Sequence, residues 1–269
     1  MNPANVPILT AASIDCCCLS NNHVLDYRYT GLTDTTETLK RASIAFAGAG
    51  ENEAEARTPA IIKAAGRGRV IVVSLGSVTS GIPRVWAAGP SRPGVNLLPD
   101  LSERTASEVA SQAKAYKRPG DVVVASIHWG GNWGYRISED ERSFARRLID
   151  TGAIDVVHGH SSHHPKGLEV HGGKLILYGC GDFIDDYEGI SGHEEYRDDL
   201  VLMYLAGVQA DTGKLIHLTL VPFRIKNFRL NRSSKDDTLW LRDVLNREGR
   251  QFGTRVDLTQ RGVLDLSWR

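Results

Sequence analysis

Nine histidines occur in this 269-residue sequence, and five of them fall in two places. His128 follows an apolar run, and His158, His160, His163 and His164 lie within seven residues. Neutral imidazole is the commonest metal ligand and titrates near working pH. Several imidazoles on a Gly-containing loop can turn their ring nitrogens toward one point, which histidines buried singly in a core cannot do. The competing reading is a solvated polar loop, or rings satisfied by nearby carbonyls. The His158-x-His160 pair is weak by itself, because alternate residues of an extended segment share a face by default. Asn22-His23 is weak by itself too, since Asn-rich turns are common. Together, Asn22, His23, His128, His160 and His163 form the set expected to carry metal or acid–base chemistry. Trp129 and Trp133, flanking a Gly pair, suit a substrate wall or simple packing. Asp185, Asp186, Glu188, Glu194, Glu195, Asp198 and Asp199 surround His193. That acidic stretch reads as a solvated loop, with substrate gating as the alternative.

Four apolar runs must position these groups. Ile14–Leu19 reads as a buried strand emptying into Ser20-Asn21-Asn22-His23. Asp121–Ile127 is rich in β-branched residues and leads into His128-Trp129-Gly130. Ile154–Val157 precedes the histidine cluster, and Leu175–Tyr178 precedes Gly181-Asp182. In α/β sheets ligands bind outside the carboxyl ends of the strands, where such loops converge. Helices are expected at Val6–Ala12, Leu32–Ala42, Leu101–Tyr116 and Ser138–Asp150, the last with Ser138 and Glu141 as a capping box. Ile44–Ala47 is a further strand. Ala60–Ala65 and Val70–Leu75 suggest a hairpin across Gly66-Arg67-Gly68-Arg69. Gly76–Asn96 is a Gly-, Pro- and Ser-rich loop. Later, Leu200–Val208 and Leu215–Ile225 read as long strands joined at Asp211-Thr212-Gly213. A helix follows at Asp236–Arg247, then a strand pair at Arg255–Leu258 and Gly262–Leu266. Alternating strands and helices early, with antiparallel pairs late, make an α/β class.

Lys and Arg number 32, as do Asp and Glu, so the formal net charge is zero. That balance argues against a nucleic-acid binder. The longest apolar runs fall well short of the ~20 residues of a membrane-spanning helix. The opening residues lack the layout of a signal peptide, and Cys16, Cys17, Cys18 and remote Cys180 suggest no disulfide framework. A reducing, cytoplasmic setting is therefore expected, with the cysteine run as small core residues or, alternatively, as a thiol ligand or nucleophile.

At these same residues the chain resembles the CapA family of bacterial capsule and poly-γ-glutamate biosynthesis proteins, which is similar to calcineurin-like metallophosphoesterases. The segments that carry the resemblance run in order. They are Ile14-Asp15 through Leu19-Ser20-Asn21-Asn22-His23-Val24-Leu25-Asp26-Tyr27, then Gly48-Ala49-Gly50 with Asn52. Ser126-Ile127-His128-Trp129-Gly130 with Trp133 follows, then Gly159-His160 with His163 and Gly167, and Tyr178 with Gly181-Asp182-Phe183. The resemblance implies a four-layer metallophosphoesterase-like sandwich. It is expected as one domain over 1–269, with 1–190 the catalytic α/β part and 191–269 completing the sandwich. It implies Asn22, His128 and His160 as metal ligands, His23 as proton donor or transition-state stabiliser, and His163 as a third imidazole at the centre, a further metal ligand and catalytic group. Asp182 stands where the family usually has Asn, as a substrate-side or charge-setting group. The family's first strand and its Gly-Asp motif are lacking here, which suggests a truncated gene, a short one-metal form, or a partner chain or oligomer that covers the position.

The expected chemistry is hydrolysis of a phosphoester, or of a γ-glutamyl or peptide amide, by water activated on one or two divalent cations, Zn, Mn or Fe. The alternatives are acid–base peptide epimerisation and a non-catalytic role in capsule or polyglutamate assembly. The expected partner is a small-molecule, peptide or polyglutamate substrate.

Overall fold

The computed structural model describes residues 2–64, 66, 68–185 and 189–269. Arg67 of the expected hairpin turn, and Asp186 and Glu188 of the acidic stretch, lie outside the described residues. In chain order the first elements are α1 (Val6–Ala11), β1 (Cys16–Cys18), α2 (Arg28–Arg41), β2 (Ala45–Ala47), β3 (Ala49–Gly50), α3 (Glu53–Arg57), β4 (Ala60–Ala64) and β5 (Gly68–Gly76). Next come β6 (Gly94–Val95), α4 (Glu103–Tyr116), β7 (Val122–His128), α5 (Glu139–Asp150), β8 (Val156–His160), β9 (Leu168–His171) and β10 (Lys174–Leu177). The last are β11 (Leu200–Val208), β12 (Leu215–Ile225), β13 (Leu230–Arg232), α6 (Lys235–Gly249), β14 (Thr254–Leu258) and β15 (Leu264–Trp268).

The architecture is mixed α/β with several sheets. A six-stranded sheet runs β4-β5-β7-β8-β10-β9, and a second runs β11-β12-β15-β14 with β13 beside β12. Two small pairs, β1-β2 and β3-β6, complete the set among the described residues. Within the large sheet β5, β7, β8 and β10 are parallel, while β4 and β9 are antiparallel edges. The hairpin expected from the two apolar runs is thus present, as is the antiparallel character of the later strands. Strand β9 was not among the expected elements, although Pro165, Gly167 and the Gly172-Gly173 pair punctuate its four residues and its hairpin with β10 turns at those two glycines.

Alternation along β7 explains how the large sheet buries both faces. Val123, Ala125 and Ile127 are fully buried against α4 and α5, together with Phe144, Leu148 and Ile176. Each such Val, Ile or Leu contributes roughly 1.5–3 kcal/mol by leaving water. On the opposite face, Val156, Leu175 and Leu177 meet Leu200, Leu202, Leu218, Leu220 and Leu264 of the second sheet. Helix α6 joins that cluster through Leu241 and Leu245 and lies along β14 and β9. Helix α5 starts where the sequence says it should: Ser138 accepts from Glu141 N–H, and the Glu141 carboxylate accepts from Ser138 N–H.

Ser74 and Ser126 pair across β5 and β7 and sit on the same face of the large sheet as Val124. Ser20, two residues past β1, donates its N–H to Ser74 Oγ at 3.4 Å, and both hydroxyls are close enough to Cys18 to lower its pKa, so β1 lies over this face at the β5–β7 position. Cys16 and Cys18 share one side of β1 and hydrogen-bond to each other, whereas Cys17 packs with Leu19 and Leu32. All three are half-buried rather than fully enclosed.

Candidate metal and acid–base centre

Strand β8 continues through His160, so His158 and His160 are strand residues and not members of the loop that the sequence predicts there. This matters because register then fixes their neighbours. Ser126 pairs with His158, and His128 pairs with His160, on adjacent parallel strands. Residues two apart on a strand share a face. Four polar side chains therefore project side by side from the carboxyl ends of β7 and β8, on the face that β1 covers.

They form one hydrogen-bonded series. His128 Nε2 lies 3.0 Å from Asn22 Oδ1, and His128 Nδ1 lies 2.8 Å from His160 Nδ1. Ser126 Oγ is 3.0 Å from His160 Nε2 and 3.0 Å from His158 Nδ1. A single arrangement of protons satisfies every link with all three rings neutral. His158 N–H donates to Ser126, whose hydroxyl donates to His160; His160 N–H donates to His128, whose other N–H donates to the Asn22 oxygen. Burial favours the neutral rings: it depresses His128 and His158 to about 4 and pushes His160 well below the ordinary range. Charges on His23 and His163 lower His128 further.

His163 behaves oppositely. Its Nδ1 is 2.8 Å and 3.1 Å from the two Asp182 oxygens, and this hydrogen bond raises its pKa above the usual value against the opposing effect of burial. Asp182 is thus the partner of His163. Between His160 and His163 the chain turns at Ser161, which holds φ at +119° while its hydroxyl donates to Gly130 O. A serine in that conformation is strained, and such strain is retained where the surroundings over-determine it.

His23 is the most exposed of the set, with 72% of its side chain open, and its ring bonds Asp26 at 2.8 Å. Trp133 meets His163 at 5.2 Å between ring centroids and stacks on His193 at 4.1 Å, so one residue of the acidic stretch covers it. Trp129 needs correction as a substrate wall. It is 2% exposed, packs on Phe144 and Tyr178, and donates its indole N–H to Tyr178 O. Ser126, His158 and Cys18 belong to the constellation but were not singled out as site residues. The Ser-x-His and His-x-His alternation in two neighbouring strands was the available signal.

Asn22 Oδ1 and two imidazoles are a donor set that suits a borderline cation. Three protein donors with an open position is also the number that catalytic sites keep. Among the described residues no three His, Cys, Asp or Glu side chains gather as a cation's ligands do, so a site built on His128 and His160 would need the Asn22 amide oxygen as its third donor. One cation takes one nitrogen per ring. His128, which offers opposite nitrogens to Asn22 and His160, fits only after turning about its Cβ–Cγ bond.

The comparisons with known proteins agree on one family. The family model described as bacterial capsule synthesis protein PGA_cap matches residues 1–187. A probable polyglutamine synthesis accessory protein of Mycobacterium tuberculosis is 50% identical over 267 residues, which is 99% of this chain and 70% of that protein. The capsule biosynthesis protein CapA of Bacillus anthracis is 27% identical over 77% of this chain and 47% of its own length. The PGA biosynthesis protein CapA of Bacillus subtilis is 29% identical over 76% of this chain and 50% of its own length. No described helix is long and apolar enough to cross a membrane. With residues 1–187 matched by the family model and a relative 50% identical across 99% of the chain, this chain belongs to the bacterial capsule synthesis protein PGA_cap family.

Proposed function

We propose that this chain is a metal-dependent hydrolase of the CapA type, working on a metallophosphoesterase-like sandwich formed as one domain over 1–269. The observation that carries the reading is the juxtaposition of Asn22, His128 and His160 within hydrogen-bond distance at the ends of neighbouring strands. Asn22, His128 and His160 would hold a divalent cation, Zn, Mn or Fe, which when bound supplies Lewis acidity and an activated water. Neutral rings suit that role, because an imidazole ligates only without its second proton. Ser126 holds His160 by its far nitrogen, and His158 holds Ser126, which fixes the ring orientation from behind. His163, whose pKa is raised by its hydrogen bond to Asp182, would steady negative charge on the substrate. His23, exposed and oriented by Asp26, would protonate the leaving group. The substrate proposed is a phosphoester or a γ-glutamyl amide, and Trp133 would form one wall of its site.

A second reading is a non-catalytic accessory role in polyglutamate synthesis. The ring-to-ring series favours it, since His128 is already satisfied at both nitrogens without a cation.

Metal analysis of protein purified without chelator separates the two readings. The hydrolase reading expects close to one equivalent of a transition metal, lost in His128→Ala and His160→Ala together with hydrolysis of a γ-glutamyl anilide or phosphoester. Less than ~0.3 equivalents, with no uptake on titration, would overturn it. Full cellular function of both variants would favour the accessory role.

A further inference from the structure

Four arginines, Arg242, Arg247, Arg250 and Arg255, line one groove of about 570 Å³ together with Asp243 and Asn246. The first two lie on α6, Arg250 in the single turn that follows it, and Arg255 on β14. Four guanidinium groups line the groove beside Asp243, and with the Glu248 and Asp257 carboxylates counted at its rim a small excess of positive charge remains in a chain whose overall charge is zero.

The groove is held rigidly. Asn246 clamps α6 to β14, donating to Val256 O and accepting from Val256 N–H. Three of the arginines have an acidic neighbour at the rim: Arg242 bonds Asp243, Arg247 bonds Glu248, and Arg255 bonds Asp257. Each guanidinium carries five N–H donors, and one carboxylate occupies two at most, so donors remain for a ligand. Among the described residues Arg250 makes no ion pair. The planar fork of arginine matches a carboxylate in two-point contact. The four arginines come from a helix, a turn and a strand, and a groove lined along three successive elements suits an extended anion better than a compact one.

The groove also leads somewhere. Arg247 lies 4.6 Å over the ring of Tyr135, and Tyr135 packs against His164 and Tyr196. Tyr196 in turn meets Trp133, which lies beside His163. A continuous series of ring contacts therefore joins Arg247 to the candidate centre.

We propose that this groove binds a polycarboxylate chain, a glutamate polymer, and directs it toward the histidine centre. The proposal rests on the polyglutamate reading of the family and adds a site to it. The test is fluorescence anisotropy of a labelled poly-γ-glutamate oligomer with the full chain. The variants are Arg250→Ser/Arg255→Ser and the charge-preserving Arg250→Lys/Arg255→Lys, with coincident thermal melts as the folding control. The wild type should bind, more weakly as salt rises. The serine pair should lose roughly tenfold, as expected for two solvent-facing charge contacts, and the lysine pair a smaller factor. Undiminished binding by the serine pair would overturn the groove while leaving polyglutamate as the ligand. Absence of wild-type binding would overturn both. Tighter, arginine-dependent binding of polyphosphate or single-stranded DNA would overturn the carboxylate assignment. Should the serine pair fail to fold, Arg242→Gln and the lysine pair still decide the matter.

Discussion

Gly159 separates His158 from His160 on β8, and a methyl group there has nowhere to go. A Cβ at Gly159 would lie 2.5 Å from Tyr178 O, 2.7 Å from Leu177 O and 2.6 Å from the Trp129 indole nitrogen. Two of these are backbone atoms of the neighbouring strand segment, and the third belongs to a buried ring. None is the far end of a flexible side chain. Gly159→Ala must therefore push β8 away from the segment after β10, or break the Trp129–Tyr178 hydrogen bond, or both. Overpacking of this kind costs about 1–3 kcal/mol. A lost hydrogen bond adds about 1 kcal/mol, which gives a total of about 2–4 kcal/mol. For a chain of this length the midpoint of thermal unfolding falls by about 2–4 °C per kcal/mol. The expected drop is then roughly 5–15 °C. Urea unfolding at constant m-value measures the free energy directly. Gly131→Ala is the control, because a Cβ there meets only Trp133 O, at 3.9 Å. A Gly159→Ala loss below ~0.5 kcal/mol, or one equal to the control, would refute the packing argument, since surface changes already span that range. The same displacement should disturb His158 and His160, so metal uptake should fall in Gly159→Ala and persist in Gly131→Ala.

Acid should destabilise the metal-free protein through its buried rings. The folded value for His158, about 4, lies below the unfolded value near 6.5, so the unfolded chain takes up the proton first as pH falls. Stability is then complete above about pH 6.5 and declines toward pH 4, by about 3 kcal/mol for this ring. His158→Gln should flatten that slope between pH 6.5 and 4.5; an unchanged slope in urea titrations would contradict the assignment. Hydrogen bonds from Cys16, Ser126 and Ser74 bring the Cys18 thiol down to about 7, whereas burial pushes Cys180 up. Iodoacetamide at pH 7.5 should therefore label Cys18 before Cys180, with the fast phase lost in Cys18→Ser, and equal rates would sink the idea.

Local physical chemistry made much of the scaffold legible. Ser138 and Glu141 satisfy each other's end of α5 wherever the helix is placed, so a helix start there needs no tertiary help. The β-branched run before His128 prefers a pleated, buried surface, and the two long apolar runs near Leu200 and Leu215 pair across the short Asp211-Thr212-Gly213 turn that separates them. The types of residue at the candidate centre were equally visible, since imidazoles and an amide following apolar strands are chemically distinctive. Tertiary structure decided the rest. Whether β8 stopped before His158 or ran through His160 depends on hydrogen bonds to β7 and β10, which no local preference specifies. That extension is what sets His128 opposite His160 and brings Ser126 and His158 behind them. Burial likewise separated Trp129, enclosed between Phe144 and Tyr178, from Trp133, which reaches His163, though both flank the same glycines. The arginine groove needed three elements clamped together before its charges became one surface. Sequence sets what each side chain can do, whereas strand register and burial, being long-range properties, set which of them meet.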